Sequence, residues 1–397
     1  VSSEPREATA PARPAVVLLR GHQANPWELR PWLESPLRER YAVSFVHSRR
    51  GWFDTSSLTL ERRRVRTLRD LLPTGRVGDA LVRIPGDRHL GLRAALSGAD
   101  IVHSQELGYW YSAQAARLKQ RLGFRLVLTV WETIPFLDAY RNVRTRPYRR
   151  ETLAATDLFL ATTQRARSSL LLEGVAAERI RVCPPGVDTS RFRAAAPARA
   201  GEARSAPASP LILSPGRLVW EKGHQDVLRA LHVLRRDRGA DARLLIVGAG
   251  PDERRLRAYA GELGIADAVE FRGFVAYDEM PALYASAAVV VLASLPTWSW
   301  EEQFGMVLAE AMAAGTPIVA SSSGAIPEVA GGAASLFTPG DWPSLASQID
   351  AAITGAAGDA AAGATAAAVE RSAIYSVEAA ASRVAAAYDE LLAGRDG

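Results

Sequence analysis

The 397 residues, 48% of them hydrophobic, suffice for two or three ordinary domains with sizeable cores and exclude a largely disordered chain. A single cysteine, Cys183, excludes an intrachain disulfide framework and any Cys-x-x-Cys metal knuckle, and it fits a reducing cytoplasm. The net charge of +5 is unevenly spread: residues 1–199 carry 33 Lys+Arg against 19 Asp+Glu, and residues 200–397 carry 15 against 24, so the two halves are expected to meet different partners.

Residues 1–14, VSSEPREATAPARP, lack an apolar core and read as a flexible tail rather than a signal peptide. Short β-branched runs then predict strands: AVVLL (15–19), YAVSFV (41–46), ADIVH (99–103), RLVLTV (125–130), DLFLA (157–161) and RIRVC (179–183). Helical patterns such as YSAQAARLKQRLG lie between several of them. Two arginine runs interrupt the series, ERRRVRTLRD (61–70) and RNVRTRPYRR (141–150). The plain reading of each is a solvated helix face. The favoured one is contact with an anionic lipid surface or a phosphate-linked acceptor. No nucleic-acid-reading motif interleaves with the arginines, so nucleic acid is not an expected partner.

AAAPARAGEARSAPAS (194–209) is a linker by composition. The alternation then restarts, with strands LILSPG (211–216), ARLLIVG (242–248), AVEFRG (268–273), AVVVLAS (288–294) and TPIVAS (316–321). KGHQDVLRALHVLRRD, PDERRLRAYAGELG, DEMPALYASA and FGMVLAEAMAAG supply helices, and SVEAAASRVAAAYDELLAG a terminal one. The expected architecture is α/β: two Rossmann-like parallel-sheet domains, 15–193 and 210–375, facing a cleft, with a helix over 376–397 packing back on the first domain. Open parallel sheets bind ligands at the carboxyl ends of their strands, which directs attention to that cleft. The longest apolar run, in the 288–295 region, is too short to span a bilayer, so a cytoplasmic protein, at most peripheral at the membrane's inner face, is expected.

SWEEQFGMVLAEAMAAGTP (299–317) holds the densest chemistry. A helix beginning near Phe304 or Gly305 presents unpaired amides and partial positive charge to an anion, and glycine lets the backbone approach it. Glu302, just before that entrance, could accept hydrogen bonds from sugar hydroxyls, and Glu310, within the helix, from a ribose. The structural alternative is dipole chemistry for Glu302 and a solvated face for Glu310. SPGRLVWEKG (214–223) adds Gly216, Arg217 and Lys222 at a strand's carboxyl end. A diphosphate beside two carboxylates needs such cations, whereas a lysine at a helix N-terminus is otherwise unfavourable.

Taken in order, GRLVWEKG, IVGAGPDERRL, FRGFV, EEQFGMVLAEAMAAGTPIVAS and GAIPEV resemble the retaining nucleotide-sugar glycosyltransferases of the group 1, family 4 type across the whole second domain. PPGVDTSRF (184–192) resembles the segment before the family's linker, with Pro185 where that family usually has Asn. The resemblance implies a GT-B fold and a donor site in the second domain. Arg217 and Lys222 would hold the diphosphate, Glu302 the transferred sugar, and the amides of Gly305, Met306 and Val307 would cap sugar and phosphate. Glu310 would hold the ribose, and the base would lie near Gly248, Phe274 and Val275. Gly216 and Phe304 complete that set, and Gly21 is the one glycine of a first loop that is glycine-rich in the family. The implied reaction transfers a hexose to a glycan or lipid-linked acceptor with retention of configuration, without metal or other cofactor. A sugar-nucleotide epimerase or hydrolase on the same fold, or a non-catalytic nucleotide-sugar-binding protein, is the alternative.

In VLTVWETIPF, Trp131 and Glu132 stand where the family usually has a histidine that contacts the donor sugar. Of the first-domain tryptophans Trp27, Trp32, Trp52, Trp110 and Trp131, the last is the first choice for the cleft. Glu253 in VGAGPDE occupies the place of a third glycine, which argues against nicotinamide binding. No Asp-x-Asp occurs, and His103 with Glu106 reads as structural rather than metal-ligating.

Overall fold

A computed structural model describes residues 13–73, 76–82, 86–137, 143–195, 209–355 and 359–394. Most of the predicted tail and residues 196–208 of the predicted linker lie outside the described residues. Thirteen strands form two sheets. The first contains β1 (Ala15–Leu19), β2 (Ala42–Ser48), β3 (Glu61–Val65), β4 (Ile101–Gln105), β5 (Arg125–Val130), β6 (Leu158–Ala161) and β7 (Ile180–Val182), in the order β3-β2-β1-β4-β5-β6-β7. The second contains β8 (Leu211–Pro215), β9 (Arg243–Val247), β10 (Val269–Arg272), β11 (Val289–Leu292), β12 (Ile318–Ser321) and β13 (Ser335–Phe337), in the order β10-β9-β8-β11-β12-β13. From β3 to β5 in the first sheet, and throughout the second, neighbouring strands pair in parallel. The helices that matter below are α1 (Trp110–Leu122), α2 (Arg146–Ala155), α3 (Gln164–Leu172), α4 (His224–Asp237), α5 (Glu253–Glu262), α6 (Met280–Ser286), α7 (Met306–Ala313) and α8 (Val377–Ala393).

The chain divides into two compact units. One comprises Val1–Thr129, Arg144–Phe159 and Val384–Gly397; the other comprises Val130–Val143 and Leu160–Arg383. In the first unit, Val17, Leu19, Val46, Val102 and Leu126 pack against Tyr111 and Ala115 of α1. The second half of α8 belongs to this unit: Tyr388 receives a 3.1 Å hydrogen bond from Trp32 Nε1 and contacts His103 Nδ1 at 2.5 Å. His103 Nε2 meets Thr129 Oγ1 at 2.7 Å, so both ring nitrogens of this fully buried histidine are engaged in structure.

In the second unit both faces of the sheet are covered at its centre, which is why β8, β9, β11 and β12 read as largely apolar runs, whereas β10 at the edge does not. Leu213, Val290 and Leu292 face one core with α6 and α7, while Ile212, Val289 and Val291 face the other with α4. Helix α7, MVLAEAMA, is apolar on all sides apart from Glu310 and is correspondingly buried.

Two strands lie outside the predicted set. Ser335–Phe337 is only three residues long. The other corrects a reading: residues 61–65 of the first arginine run are an edge strand, not a helix face. Glu61 to Arg64 are exposed on both sides of the strand, so no alternation betrays it; its register is set by main-chain pairing with Ser44–Ser48. Of the second run, Arg146–Arg150 begin α2. Among the described residues no helix is long and apolar enough to cross a membrane.

Candidate functional site

The order of the second sheet reverses between β8 and β11, the place where open parallel sheets leave a crevice at their carboxyl ends. The segments leaving these two strands carry the predicted motif residues. After β8, Gly216 and Arg217 lead into a single 3-10 turn, Trp220–Lys222, closed by Gly223. Lys222 therefore stands two residues ahead of α4 rather than inside its first turn, and a carboxylate rather than the helix end meets its charge. Gly223 has φ 70°, and a Cβ there would lie 1.8 Å from the carbonyl oxygen of Ala293, so the turn is pressed against the segment leaving β11.

That contact brings a cation and a carboxylate together. Lys222 Nζ lies 2.7 Å from Glu302 Oε2, with the lysine side chain 15% and the glutamate side chain 8% exposed. Ser294 Oγ donates to the same carboxylate oxygen at 2.6 Å, and the Trp300 ring lies 4.9 Å from Nζ. Glu302 is thus fixed from two sides through Oε2. Its main chain is fastened as well, since Ala325 N donates to Glu302 O at 2.8 Å. Beside this fastening, the buried Ser323 hydroxyl has no hydrogen-bond partner. Arg217 projects outward, 65% exposed, with Glu221 at 4.0 Å.

Three residues after Glu302, Gly305 (φ 81°) caps α7, and no side chain caps that helix. The Met306 and Val307 amides open it. Phe304 is buried against Tyr375, with ring centroids 5.3 Å apart, and against Trp131, whose half-buried ring meets it edge-on at 6.3 Å. The predicted Trp131 is thereby set beside the entrance of α7. Glu310 is 6% exposed, so a solvated face is excluded. Burial raises its pKa, against hydrogen bonds from Tyr284 and Tyr277 that lower it; Tyr284 donates to Oε2 at 2.5 Å.

Gly248, after β9, lies so close to β8's exit that a Cβ would sit 1.9 Å from Gly216 O. The glycines of VGAGPDE therefore serve a clasp between two loops, in which Leu218 N donates to Ala249 O at 3.0 Å. Phe274, after β10, is 79% exposed, and Val275 packs on the core. Gly21 belongs to the other unit: it follows β1, where a Cβ would lie 2.6 Å from the Tyr111 ring. Among the described residues there is no group of three or more His, Cys, Asp or Glu side chains placed to hold a metal ion.

Several supporting residues had no motif to announce them. Arg165 at the start of α3 makes a two-pronged contact with Glu301, at 2.5 and 2.7 Å, while Glu328 accepts from the Gln164 and Arg165 amides at 2.6 and 3.2 Å. The glutamate doublet thus splits its duties, Glu301 to a structural clamp and Glu302 to the site. His224 is buried between Ser214 Oγ, 2.9 Å from Nδ1, and Arg217 O, 3.2 Å from Nε2. A carbonyl only accepts, so Nε2 carries a proton toward Arg217 O, and in the neutral ring Nδ1 accepts from the Ser214 hydroxyl.

Burial pushes the His224 pKa from 6.5 down to about 4. In that window the unfolded chain binds more protons, so this residue's contribution is complete above pH 6.5 and is lost as the pH falls toward 4. Its ceiling is roughly 3 kcal/mol. Urea unfolding at pH 7.5, 5.5 and 4.5 should show His224→Gln losing less stability on acidification than the parent; parallel slopes would contradict the assignment.

The family described as "Glycosyl transferases group 1" matches residues 201–368, and "Glycosyltransferase Family 4" matches residues 37–191. A GDP-mannose-dependent alpha-(1-6)-phosphatidylinositol monomannoside mannosyltransferase of Mycobacterium tuberculosis is 39% identical over 183 residues, 44% of this chain and 46% of that protein. A D-inositol 3-phosphate glycosyltransferase of Acidothermus cellulolyticus is 35% identical over 245 residues, 57% and 53% of the two chains. The chain spans about half the length of these curated relatives. Among solved structures, Anabaena HepE in complex with UDP and glucose superposes with a TM-score of 0.74 at 20% identity, covering 95% of this chain and all of that one. Sucrose-phosphate synthase from Thermosynechococcus elongatus gives 0.74 at 22%, covering 96% and 100%. These likenesses establish the fold as GT-B.

Proposed function

Because the chain belongs to the group 1 glycosyltransferases, we propose that it transfers a hexose from a nucleoside diphosphate sugar to a hydroxyl acceptor with retention of anomeric configuration. The observation that carries this reading is the Lys222–Glu302–Ser294 cluster at the entrance of an uncapped helix. In this reading Lys222 and Arg217 face the diphosphate and stabilise the charge that grows on it as the glycosidic bond breaks. The Met306 and Val307 amides add donors aimed at the same anion. Glu302 accepts from sugar hydroxyls through Oε1, the oxygen that Lys222 and Ser294 leave alone. Glu310 takes the ribose hydroxyls, its position held by Tyr284. Two cations and a helix entrance meet the leaving group, which supports transfer without a resident metal; a chelator should leave the rate unchanged.

The relatives named for phosphatidylinositol mannoside and inositol phosphate support an acceptor built on a phosphorylated polyol, either lipid-linked or free. The exposed arginines Arg62, Arg63 and Arg64 of β3 and Arg146 and Arg150 of α2 support contact with an anionic membrane surface. Calorimetric titration with UDP, GDP, ADP and their hexose conjugates tests the donor assignment: one nucleotide should bind, and binding by none would overturn it. Phe274→Ala is expected to weaken that nucleotide about tenfold by removing a stacking face, with an unchanged melting temperature because the ring is already exposed. Unaltered affinity would move the base elsewhere.

A further inference from the structure

Open parallel sheets take their ligands at the carboxyl ends of the strands, but the first unit also has a cavity at the other end, beside the amino ends of β1, β2 and β3. It measures about 520 Å³, the size of a small-molecule site. Small side chains leave it open. Ala15 and Ala42 begin β1 and β2 as a cross-strand pair, Ser44 lies one pleat further on, and Ser97, Gly98 and Ala99 lead toward β4. Three arginines, Arg13, Arg38 and Arg63, line the cavity with one carboxylate, Glu61. Arg13 Nη1 donates to Arg38 O at 3.0 Å, and Arg63 Nη1 donates to Ala95 O at 3.3 Å. A main-chain carbonyl orients a guanidinium without neutralising it. Arg38 has no carboxylate partner among the described residues. Glu61 lies 3.0 Å from Arg63 Nε, but the two side chains are 64% and 42% exposed, so water competes for that pair. Ser44 is 7% exposed, and its hydroxyl has no hydrogen-bond partner among the described residues. A buried hydroxyl normally has a partner, so this one is open to an incoming acceptor. Strand alternation turns Arg63 to the face of β3 that Ser44 shares, and Arg62 and Arg64 to the other face.

We infer that this cavity binds a phosphate monoester with a small apolar body. Three guanidiniums with one carboxylate leave an excess of two positive charges, which a phosphate dianion balances. Arg38 and Arg63 meet the phosphate oxygens with forked donors, and the Ser44 hydroxyl donates to them from the floor. Val17, Leu33 and Leu60 on the wall receive the apolar body. None of these residues belongs to the donor set, so the inference goes beyond the transferase reading and stands without it.

Calorimetry at low salt with phenyl phosphate, inorganic phosphate and phenol tests the site. Phenyl phosphate should bind the parent chain more tightly than inorganic phosphate, and phenol should not bind. Arg38→Ala and Arg63→Ala should each weaken phenyl phosphate about tenfold. Arg64→Ala removes the same charge from the opposite face of β3 and should leave the affinity within twofold of the parent. Ser44→Leu fills the floor without changing charge and should weaken phenyl phosphate as well. Arg38 and Arg63 are exposed, so their variants report on binding even where Ser44→Leu lowers the melting temperature. Failure of the parent to take up phenyl phosphate at millimolar concentration would overturn the site. Equal weakening by Arg38→Ala, Arg63→Ala and Arg64→Ala would overturn it in favour of diffuse attraction to a basic surface. Affinity unaltered in both Arg38→Ala and Arg63→Ala would place the ligand elsewhere. Equal affinity for inorganic and phenyl phosphate would remove the apolar body from the ligand class.

Discussion

Replacing Lys222 by alanine should nearly abolish sugar transfer. The substitution removes the buried cation proposed to face the diphosphate and leaves Glu302, its side chain 8% exposed, with only the Ser294 hydroxyl on its inner oxygen. Losing one preorganised stabiliser of developing charge costs about 100- to 1,000-fold in rate. Separating a buried ion pair also destabilises the fold, by about 3 kcal/mol, because the orphaned carboxylate stays desolvated. Both losses should appear together: collapsed nucleotide binding by calorimetry and a lower urea midpoint. Ser294→Ala serves as the graded control, since it unfastens Glu302 without removing charge and should cost less in both respects. If Lys222→Ala kept nucleotide affinity and transfer rate within twofold of the parent, the diphosphate would have to be held elsewhere.

Gly223→Ala is expected to be among the most damaging single-methyl changes in the second unit. Its φ of 70° is strained for alanine, and its Cβ would lie 1.8 Å from Ala293 O, a main-chain atom. The turn holding Lys222 and the segment holding Ser294 would have to separate. A loss of about 3–5 kcal/mol is expected, with activity falling alongside. Gly239 isolates the steric part: it has nearly the same φ, 66°, but nothing within 4 Å of a Cβ, so Gly239→Ala should cost only the conformational penalty of about 1 kcal/mol. Equal losses in the two variants would show that φ, not the clash with Ala293, governs the effect.

Most strands legible in the sequence are buried, although AVEFRG was legible too and gives the half-exposed β10. AVVLL and RLVLTV coincide with β1 and β5, because short runs dominated by apolar and β-branched residues have few other destinations. The edge strand β3 was illegible for the converse reason: its side chains meet water on both faces, and only main-chain pairing defines it. At the candidate site, the residue types at strand exits and at the α7 entrance could be read directly, but their partners could not. Nothing local says that Glu301 turns to Arg165 while Glu302 turns to Lys222, or that Ser294 finishes the second pair. Gly21 illustrates a different limit: the glycine was visible, but its fit against the Tyr111 ring was not. Trp52 was visible only as one of several tryptophans; its exposure beside His22 appears once the chain is folded.

The arginines of β3 have a further consequence, for how copies of the chain treat one another. A terminal strand offers unpaired amides and carbonyls along its free side, an invitation for another molecule to add a strand there. Arg62, Arg63 and Arg64 in succession place like charges where two such edges would meet, so self-pairing is opposed by repulsion. That protection depends on charge and is screened by salt. Polyanions would remove it outright, and conversion of the three arginines to valine would leave a strand-forming, uncharged edge prone to fibrillar association.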